Sequence, residues 1–219
     1  MENQVAPDTN ADEQRPPLSI AIIIGSTRPG SVGKAVAQWA YDIARQRNDA
    51  TFELLDISDF NLPLLDEPLP AMLLDPAQTV AGQYAQEHTR AWSEAVASFD
   101  GYVLVTPEYN HGIGGALKNA IDFLYHEWRD KAAGFIGYGY TNGARSIESL
   151  RLVMAAVQVA TVRPAVGISL FTDFENGATF KPAAIQDKFV TTLLDHVIAW
   201  SGALRPLRES SARSDAAHT

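Results

Sequence analysis

The chain of 219 residues contains no cysteine. This absence excludes thiol catalysis, cysteine-bound zinc and disulfide bonds, and it fits the cytoplasmic location that we predict. No apolar run approaches the roughly 20 residues that span a bilayer, so we predict no membrane segment. Basic residues are outnumbered by acidic ones, 17 to 26, and the net charge is −9. Nucleic-acid phosphates need a basic surface, so we predict no nucleic-acid partner.

Both ends of the chain are polar. Residues 1–17 (MENQVAPDTNADEQRPP) lack the basic start and the apolar stretch of a secretory signal, and we predict a disordered lead-in. Residues 204–219 are predicted to form a flexible tail. The intervening residues, 18–203, have the length of one domain, and the chain is 46% hydrophobic.

Short apolar runs alternate with segments of helical period from residue 18 onward. The first run, LSIAIIIG (18–25), is continuous, which is typical of a strand buried on both faces. This alternation predicts a parallel sheet with helices on both faces. Right-handed crossovers bring the carboxyl ends of the strands to one edge, where ligands bind. The predicted strands are 18–25, 51–57, 101–106, 132–139 and 163–170, and the predicted helices are 31–47, 82–99, 114–128, 144–160 and a last one from 182.

Residues 61–76 hold four prolines and interrupt this alternation. They predict a long irregular loop, and loops of this length in compact domains more often serve function or an interface.

The loop after the first strand, GSTRPGSVGK (25–34), matches neither common phosphate-binding template. In the Walker pattern Gly-Lys precedes Ser or Thr, but here Gly33-Lys34 precedes Ala35. The dinucleotide pattern GxGxxG is missing as well.

Hydroxyl groups and one guanidinium remain in this loop. Ser26, Ser31 and Arg28 stand before a helix N-terminus, whose free N–H groups and positive dipole end favour a compact phosphate group. In the alternative interpretation Ser31 only caps the helix.

A polar segment, TPEYNHGIGGALKN (106–119), follows the third strand. Glu108, Tyr109, Asn110 and His111 predict a turn at a helix entrance, where exposed N–H groups can meet the polar atoms of a flat heterocycle. Tyr109 adds a stacking surface. An ordinary turn explains the segment equally well, so the residues alone leave both interpretations open.

These two loops, together with GYGYTNGARSIESLR (137–151), resemble the NADPH-dependent FMN reductase family over residues 18–203. PEYN followed by LKNAID is the most specific part. The resemblance implies a flavodoxin-like three-layer α/β sandwich with five parallel strands in the order 2-1-3-4-5. It also implies FMN as the cofactor, NADPH or NADH as the co-substrate, and a homodimer or homotetramer.

The resemblance further implies a reaction without an essential side-chain acid or base. Hydride from NAD(P)H passes through the flavin N5 to a small-molecule acceptor in a ping-pong cycle. Quinones, azo or nitro aromatics, metal oxyanions and free flavin are the acceptor classes that it suggests. Two alternatives stay open: a reductase specific for one metabolite, and a flavodoxin-like electron carrier without enzymatic activity.

Carried over position by position, the resemblance assigns the FMN phosphate to the first loop and the flavin ring to the second. Many relatives have asparagine at the position of Gly33, so one phosphate-side hydrogen bond is expected to be lost or replaced. His111 is given a positioning role, and no histidine spacing suggests a metal site. Arg145 is either solvated or a contact for an anionic group. The predicted FMN contacts are Ser26, Arg28, Ser31, Val32, Gly33, Pro107, Glu108, Tyr109, Asn110, Gly139 and Gly143.

Overall fold

The computed structural model describes residues 16–176 and 179–216. The predicted lead-in lies outside these ranges except for Pro16 and Pro17, which are exposed. The strands are β1 (Leu18–Ile24), β2 (Ala50–Asp56), β3 (Gly101–Tyr109), β4 (Gly112–Ile113), β5 (Ala132–Gly139), β6 (Ala160–Ser169), β7 (Phe174–Glu175) and β8 (Thr179–Phe180). The α-helices are α1 (Gly33–Ala44), α2 (Val80–Gln83), α3 (Glu87–Ala97), α4 (Gly115–Asp122), α5 (Ala144–Ala156) and α6 (Ile185–Ala216).

Five parallel strands form the central sheet in the order β2-β1-β3-β5-β6. The predicted order 2-1-3-4-5 is therefore confirmed, since β5 and β6 are the fourth and fifth strands of the parallel set. The direction of the strand order changes between β1 and β3, and the loops that follow these strands flank that switch point. The loops after β1, β3 and β5 consequently lie at one edge of the sheet.

Alternate residues of β1 enter two separate cores. Ile20, Ile22 and Ile24 pack with residues of α1 and α6, whereas Ala21 and Ile23 pack with residues of α3, α4 and α5. Side chains alternate between the faces of a strand, so a strand covered by helices on both faces must be apolar throughout. This requirement explains the continuous run in the sequence and confirms the three-layer architecture.

The predicted helix 82–99 is divided into α2 and α3, which begins at Glu87. Glu67, from the proline-rich segment, accepts hydrogen bonds from the N–H groups of Ala85 and Gln86 at 2.9 and 3.0 Å. Arg90 donates to the carbonyls of Tyr84 and Ala85. These contacts satisfy the backbone where the helix is interrupted, so the break depends on a carboxylate that is distant in sequence.

The last helix, α6, extends to Ala216, so the predicted domain boundary at residue 203 falls inside it. Arg205 and Arg208 each bond the carboxylate of Asp100, at 2.8 and 2.5 Å. Asp100 also accepts a hydrogen bond from the N–H of Ser19 at 3.0 Å, so α6 is tied to the starts of β1 and β3. Although α6 has 32 residues, neither it nor another helix in the described ranges has the length and hydropathy needed to cross a bilayer.

Candidate functional site

Four hydroxyl groups and one guanidinium converge in front of α1. Ser26 Oγ lies 3.3 Å from Tyr109 Oη, and Arg28 Nε donates to the same phenol at 3.1 Å. Ser31 Oγ lies 2.9 Å from Tyr138 Oη. The first turn of α1 has no acidic residue, so no carboxylate there offsets the positive end of the helix dipole. This collection of donors suits one compact anion, such as a phosphate group.

The loop between β1 and α1 is ordered around Arg28. The guanidinium donates to the carbonyls of Pro29 and Gly30 at 3.3 and 3.5 Å, while the backbone N–H of Arg28 donates to Ser26 Oγ at 3.4 Å. Partial burial raises the pKa of Tyr109, but its hydrogen bonds with Ser26 and Arg28 outweigh burial and hold that pKa below the ordinary 10.0. The exposed guanidinium is thus held in place at the edge of the sheet.

The polar segment after β3 forms a hairpin, because β4 returns antiparallel to β3. Tyr109 pairs with Gly112, and the two residues between them, Asn110 and His111, have φ angles of 49° and 67°. Left-handed backbone at both central positions is typical of the tight hairpin turns that favour asparagine. The sequence predicts a turn here, but it does not predict the short strand β4.

Glu108 connects this hairpin to the loop after β5. Its carboxylate accepts hydrogen bonds from Thr141 Oγ1 at 2.7 Å, from the Arg145 N–H at 3.0 Å and from Arg145 Nη1 at 2.8 Å. The Glu108 side chain is 7% exposed and that of Arg145 46%. Arg145 is therefore paired with a carboxylate while its side chain stays partly exposed. The second and third loops form one continuous wall through this contact.

The ionised carboxylate of Glu108 contributes to stability. Burial raises the pKa of Glu108, but hydrogen bonds from Thr141 and Arg145 outweigh burial and hold the pKa below the ordinary 4.5. Because the folded chain favours the charged form, this contribution is complete above pH 4.5 and is lost as the pH falls through the lowered pKa.

An open cleft of about 690 Å³ lies between the first loop and this wall. Its volume falls within the range of small-molecule sites. Tyr140, 73% exposed, stands on its rim with its ring centroid 5.4 Å from that of Phe171. The cleft is lined by Arg28, Glu108, Tyr109, Asn110, His111, Tyr140, Thr141 and Arg145.

Glycine permits close backbone approach in the third loop. A Cβ atom on Gly139 would lie 3.2 Å from the Cβ of Glu108. Gly143 has a φ of +67°, and its Cβ would lie 2.5 Å from backbone atoms of Gly137 and Tyr138. The start of α5 can therefore lie directly against the end of β5, and larger residues at these positions would separate the two elements.

A second cavity, of about 630 Å³, lies at the opposite edge of the sheet beside Lys131. Burial lowers the pKa of Lys131 to about 7. Its Nζ lies within 3.1 Å of the carbonyls of Val96 and Ala97 and of Tyr102 Oη, so its bonding capacity is already used inside the protein. We place the functional site at the carboxyl edge, where the anion donors and the open cleft coincide.

The comparison with known protein families shows the family of the chain. A family model described as NADPH-dependent FMN reductase matches residues 18–173. The chain belongs to this family. FMN is accordingly its flavin cofactor and NAD(P)H its electron donor, so the chain is an FMN-dependent oxidoreductase.

Individual relatives and structures are similar to the same region. An NAD(P)H-dependent FMN reductase of Nectria sp. is 43% identical over 169 residues, which cover 72% of this chain and 81% of the relative. A 2-hydroxy-1,4-benzoquinone reductase of Burkholderia sp. is 32% identical over 111 residues, 51% of this chain and 52% of the relative. The solved structure of a flavoenzyme NAD(P)H:(acceptor) oxidoreductase from Paracoccus denitrificans has a TM-score of 0.65 at 22% identity. The match covers 85% of this chain and 98% of that structure, and it supports the fold.

The eleven predicted FMN contacts fall into three groups at the edge where the family cofactor is expected. Ser26, Arg28, Ser31, Val32 and Gly33 surround the start of α1; Pro107, Glu108, Tyr109 and Asn110 form the end of β3 and its hairpin; Gly139 and Gly143 lie in the third loop. The donors at α1 fit a phosphate group, and the cleft beside the hairpin has room for a planar ring. Their individual contacts with FMN stay predictions.

Sequence reasoning did not assign roles to two further residues of the site. The hydroxyl of Tyr138 reaches Ser31, in the first loop. The hydroxyl of Thr141 donates to Glu108, in the hairpin. Both contacts join different loops, so no local pattern marks them; the two tyrosines within GYGYTN are the only signal that the sequence offers.

Proposed function

We propose that this oxidoreductase reduces a small planar acceptor, such as a quinone, an azo or nitro aromatic compound, or free flavin, in a ping-pong cycle. The observation that carries the proposal is the open cleft between Arg28 and the wall formed by the hairpin and the third loop. The name of the Burkholderia relative, a benzoquinone reductase, supports a quinone-type acceptor.

In this proposal the residues of the chain bind and orient, and they move no proton. Arg28, Ser26 and Ser31 hold the FMN phosphate at the start of α1, and the hairpin backbone from Pro107 to Asn110 lies along the flavin ring. When bound, FMN would supply the redox chemistry between NAD(P)H and the acceptor.

The shape of the cleft supports the ping-pong order. In this proposal NAD(P)H and the acceptor both stack on the flavin within the same cleft, which Tyr140 lines together with the hairpin. Two planar molecules would have to use this space in turn. Steady-state rates measured at several fixed acceptor concentrations test the order: parallel double-reciprocal lines are expected, and intersecting lines would contradict it.

The visible absorption spectrum of the purified protein, before and after anaerobic NADPH, tests the activity. We expect a yellow protein whose absorption near the flavin maximum falls with NADPH and returns when benzoquinone is added. If dithionite bleaches the protein but neither NADPH nor NADH does, the electron-carrier alternative is favoured. If NADPH bleaches it but a panel of quinones, azo dyes and nitro aromatics does not restore the colour, the alternative of one specific metabolite is favoured.

We assign His111 a positioning role only. It lies exposed at the tip of the hairpin turn. A side chain that donates a proton in the rate-limiting step contributes about a hundredfold or more, so His111→Ala should lower quinone turnover less than about tenfold. His196→Ala, an exposed histidine on α6, is the matched control. A hundredfold loss in the His111 variant alone would make this residue a proton donor.

We also propose that the chain forms a homodimer or homotetramer through the proline-rich segment, residues 61–76. Leu64, Leu69, Met72 and Leu73 are between 58% and 85% exposed there, and clustered exposed apolar side chains mark interaction surfaces. Light scattering should give a mass of at least two chains, reduced by the Met72→Glu/Leu73→Glu double variant but not by Leu207→Glu on α6. A wild-type monomer would contradict this proposal.

A further inference from the structure

Tyr138 is a buried tyrosine whose hydroxyl reaches another loop. It lies near the end of β5, only 4% exposed, and its Oη is 2.9 Å from Ser31 Oγ in the loop before α1. Burial raises the pKa of Tyr138, and its hydrogen bond with Ser31 only partly offsets this effect, so the phenol keeps its proton at neutral pH. The site therefore contains a neutral O–H group that the proposed function has not used.

The position of this hydroxyl depends on Gly33. A Cβ atom on Gly33 would lie 2.6 Å from Tyr138 Oη, well inside van der Waals contact. Any larger residue at position 33 would therefore push against the buried side chain of Tyr138 and displace its hydroxyl. Gly33 and Tyr138 thus form a matched pair, in which the tyrosine hydroxyl fills the space that a side chain at position 33 would occupy.

The hydrogen-bonding capacity of Ser31 defines what this hydroxyl does. A serine hydroxyl has one proton to donate and two lone pairs to accept. The N–H of Gly33 donates to Ser31 Oγ at 3.2 Å and occupies one lone pair. If Tyr138 donates to the other, both lone pairs are used, and the Ser31 proton is left to donate to an acceptor in front of α1.

The opposite direction of this hydrogen bond leads to the same result. If Ser31 donates to Tyr138, the phenol proton is the one left over, on an oxygen 2.9 Å from Ser31 Oγ. In either arrangement the Ser31–Tyr138 pair offers one O–H group to an anion. A phenylalanine at position 138 would leave Ser31 free to rotate and to donate elsewhere.

We propose that Tyr138 is a positioning residue for the FMN phosphate: its hydroxyl, in the space left open by Gly33, orients the O–H donor of the Ser31–Tyr138 pair toward the phosphate group. The proposal rests on the proposed placement of the phosphate at the first loop. With glycine at position 33, one hydrogen bond to the phosphate is expected to be lost or replaced. In this proposal Tyr138, on β5, provides the replacement. It also predicts that Tyr138 distinguishes FMN from riboflavin, which lacks the phosphate.

Flavin titrations of the Tyr138→Phe variant test this role. The wild-type apoprotein should bind FMN more tightly than riboflavin, measured by quenching of flavin fluorescence. Loss of one neutral hydrogen bond predicts that Tyr138→Phe binds FMN about three- to tenfold more weakly, with riboflavin affinity unchanged. Phenylalanine keeps the buried ring, and an unchanged melting temperature confirms the fold. Tyr125→Phe, which loses a 2.8 Å hydrogen bond from Gln158 at the opposite edge, should change neither affinity.

A second variant replaces the lost Tyr138 hydroxyl with a hydroxyl at position 33. In the Gly33→Ser/Tyr138→Phe double variant, a serine hydroxyl can occupy the space that the phenol oxygen leaves. We expect this variant to regain part of the FMN affinity, whereas Gly33→Ser alone, which meets the phenol, should lose affinity. Strong non-additivity of this kind is expected only for residues in direct contact.

The outcomes separate this inference from the proposed function. FMN binding by Tyr138→Phe that is as tight as in the wild type, or equal losses for FMN and riboflavin, would overturn the role of Tyr138 alone. A wild-type protein that binds both flavins equally would contradict the phosphate placement as well. A wild-type protein that binds neither flavin would remove the basis of the proposed function itself.

Discussion

Arg28→Ala is expected to bind FMN about 10- to 100-fold more weakly than the wild-type chain, because hydrogen bonds between charged groups are among the strongest in proteins. Two arginines line the cleft, Arg28 and Arg145. Arg145 is paired with Glu108, so Arg28 is the one without a carboxylate partner in the described part of the chain. The guanidinium is already held by Tyr109 and by two carbonyls of its own loop. Little ordering is therefore needed when a phosphate binds.

Three controls make this result specific. Riboflavin affinity should be nearly unchanged in Arg28→Ala, since riboflavin carries no phosphate. Arg45→Ala removes a guanidinium that is 63% exposed at the other end of α1, so it should leave FMN affinity intact. Arg28→Lys keeps the charge but loses the forked geometry, so its FMN affinity should lie between those of the wild type and Arg28→Ala.

The opposite result would be equally informative. If Arg28→Ala retained FMN as tightly as the wild type, the phosphate would not lie at the first loop. Equal losses of FMN and riboflavin would assign Arg28 to the structure of the loop, where it bonds Tyr109, and not to the charge of the ligand.

Gly143→Ala is expected to have the largest effect on stability, lowering the free energy of unfolding by about 3 kcal/mol. For a chain of this size this change corresponds to a fall in melting temperature of roughly 6–12 °C. Two causes add together. A φ of +67° is unfavourable for alanine, and the new Cβ would lie 2.5 Å from the backbone of Gly137 and Tyr138. Calorimetry of the apoprotein measures the effect.

Two other glycines separate these causes. Gly30 has a φ of +70° with no atom within 4 Å of its Cβ position, so Gly30→Ala should cost only the backbone term of about 1–2 kcal/mol. Gly115, at the start of α4, has neither problem, and Gly115→Ala should be neutral or slightly stabilising. If Gly143→Ala lowered the free energy of unfolding no more than Gly30→Ala does, the close contact between α5 and β5 would not be part of the stable fold.

The contact also matters for the site. Gly143 precedes α5, whose second residue, Arg145, donates its backbone N–H to Glu108. Displacing the start of α5 would pull this donor away from the hairpin. We therefore expect Gly143→Ala to weaken binding of FMN and riboflavin alike, in contrast to Arg28→Ala.

The five strands of the parallel sheet and the composition of the three loops were determined by the sequence itself. The run LSIAIII predicts β1 because a strand buried on both faces needs apolar residues at every position, and this requirement is local. The hydroxyls and Arg28 before α1, and the PEYN turn after β3, are equally visible as consecutive residues. Their resemblance to a known family then predicts the strand order, which the structure confirms.

Only the tertiary structure decided how these segments contact one another. The break between α2 and α3 depends on Glu67, and α6 continues past residue 203 where Arg205 and Arg208 bond Asp100. Within the site, Tyr138 meets Ser31 across 107 residues of sequence and Glu108 meets Arg145 across 37. A hydrogen bond between distant residues depends on where the whole sheet places them, so no periodicity or short motif along the chain can reveal it.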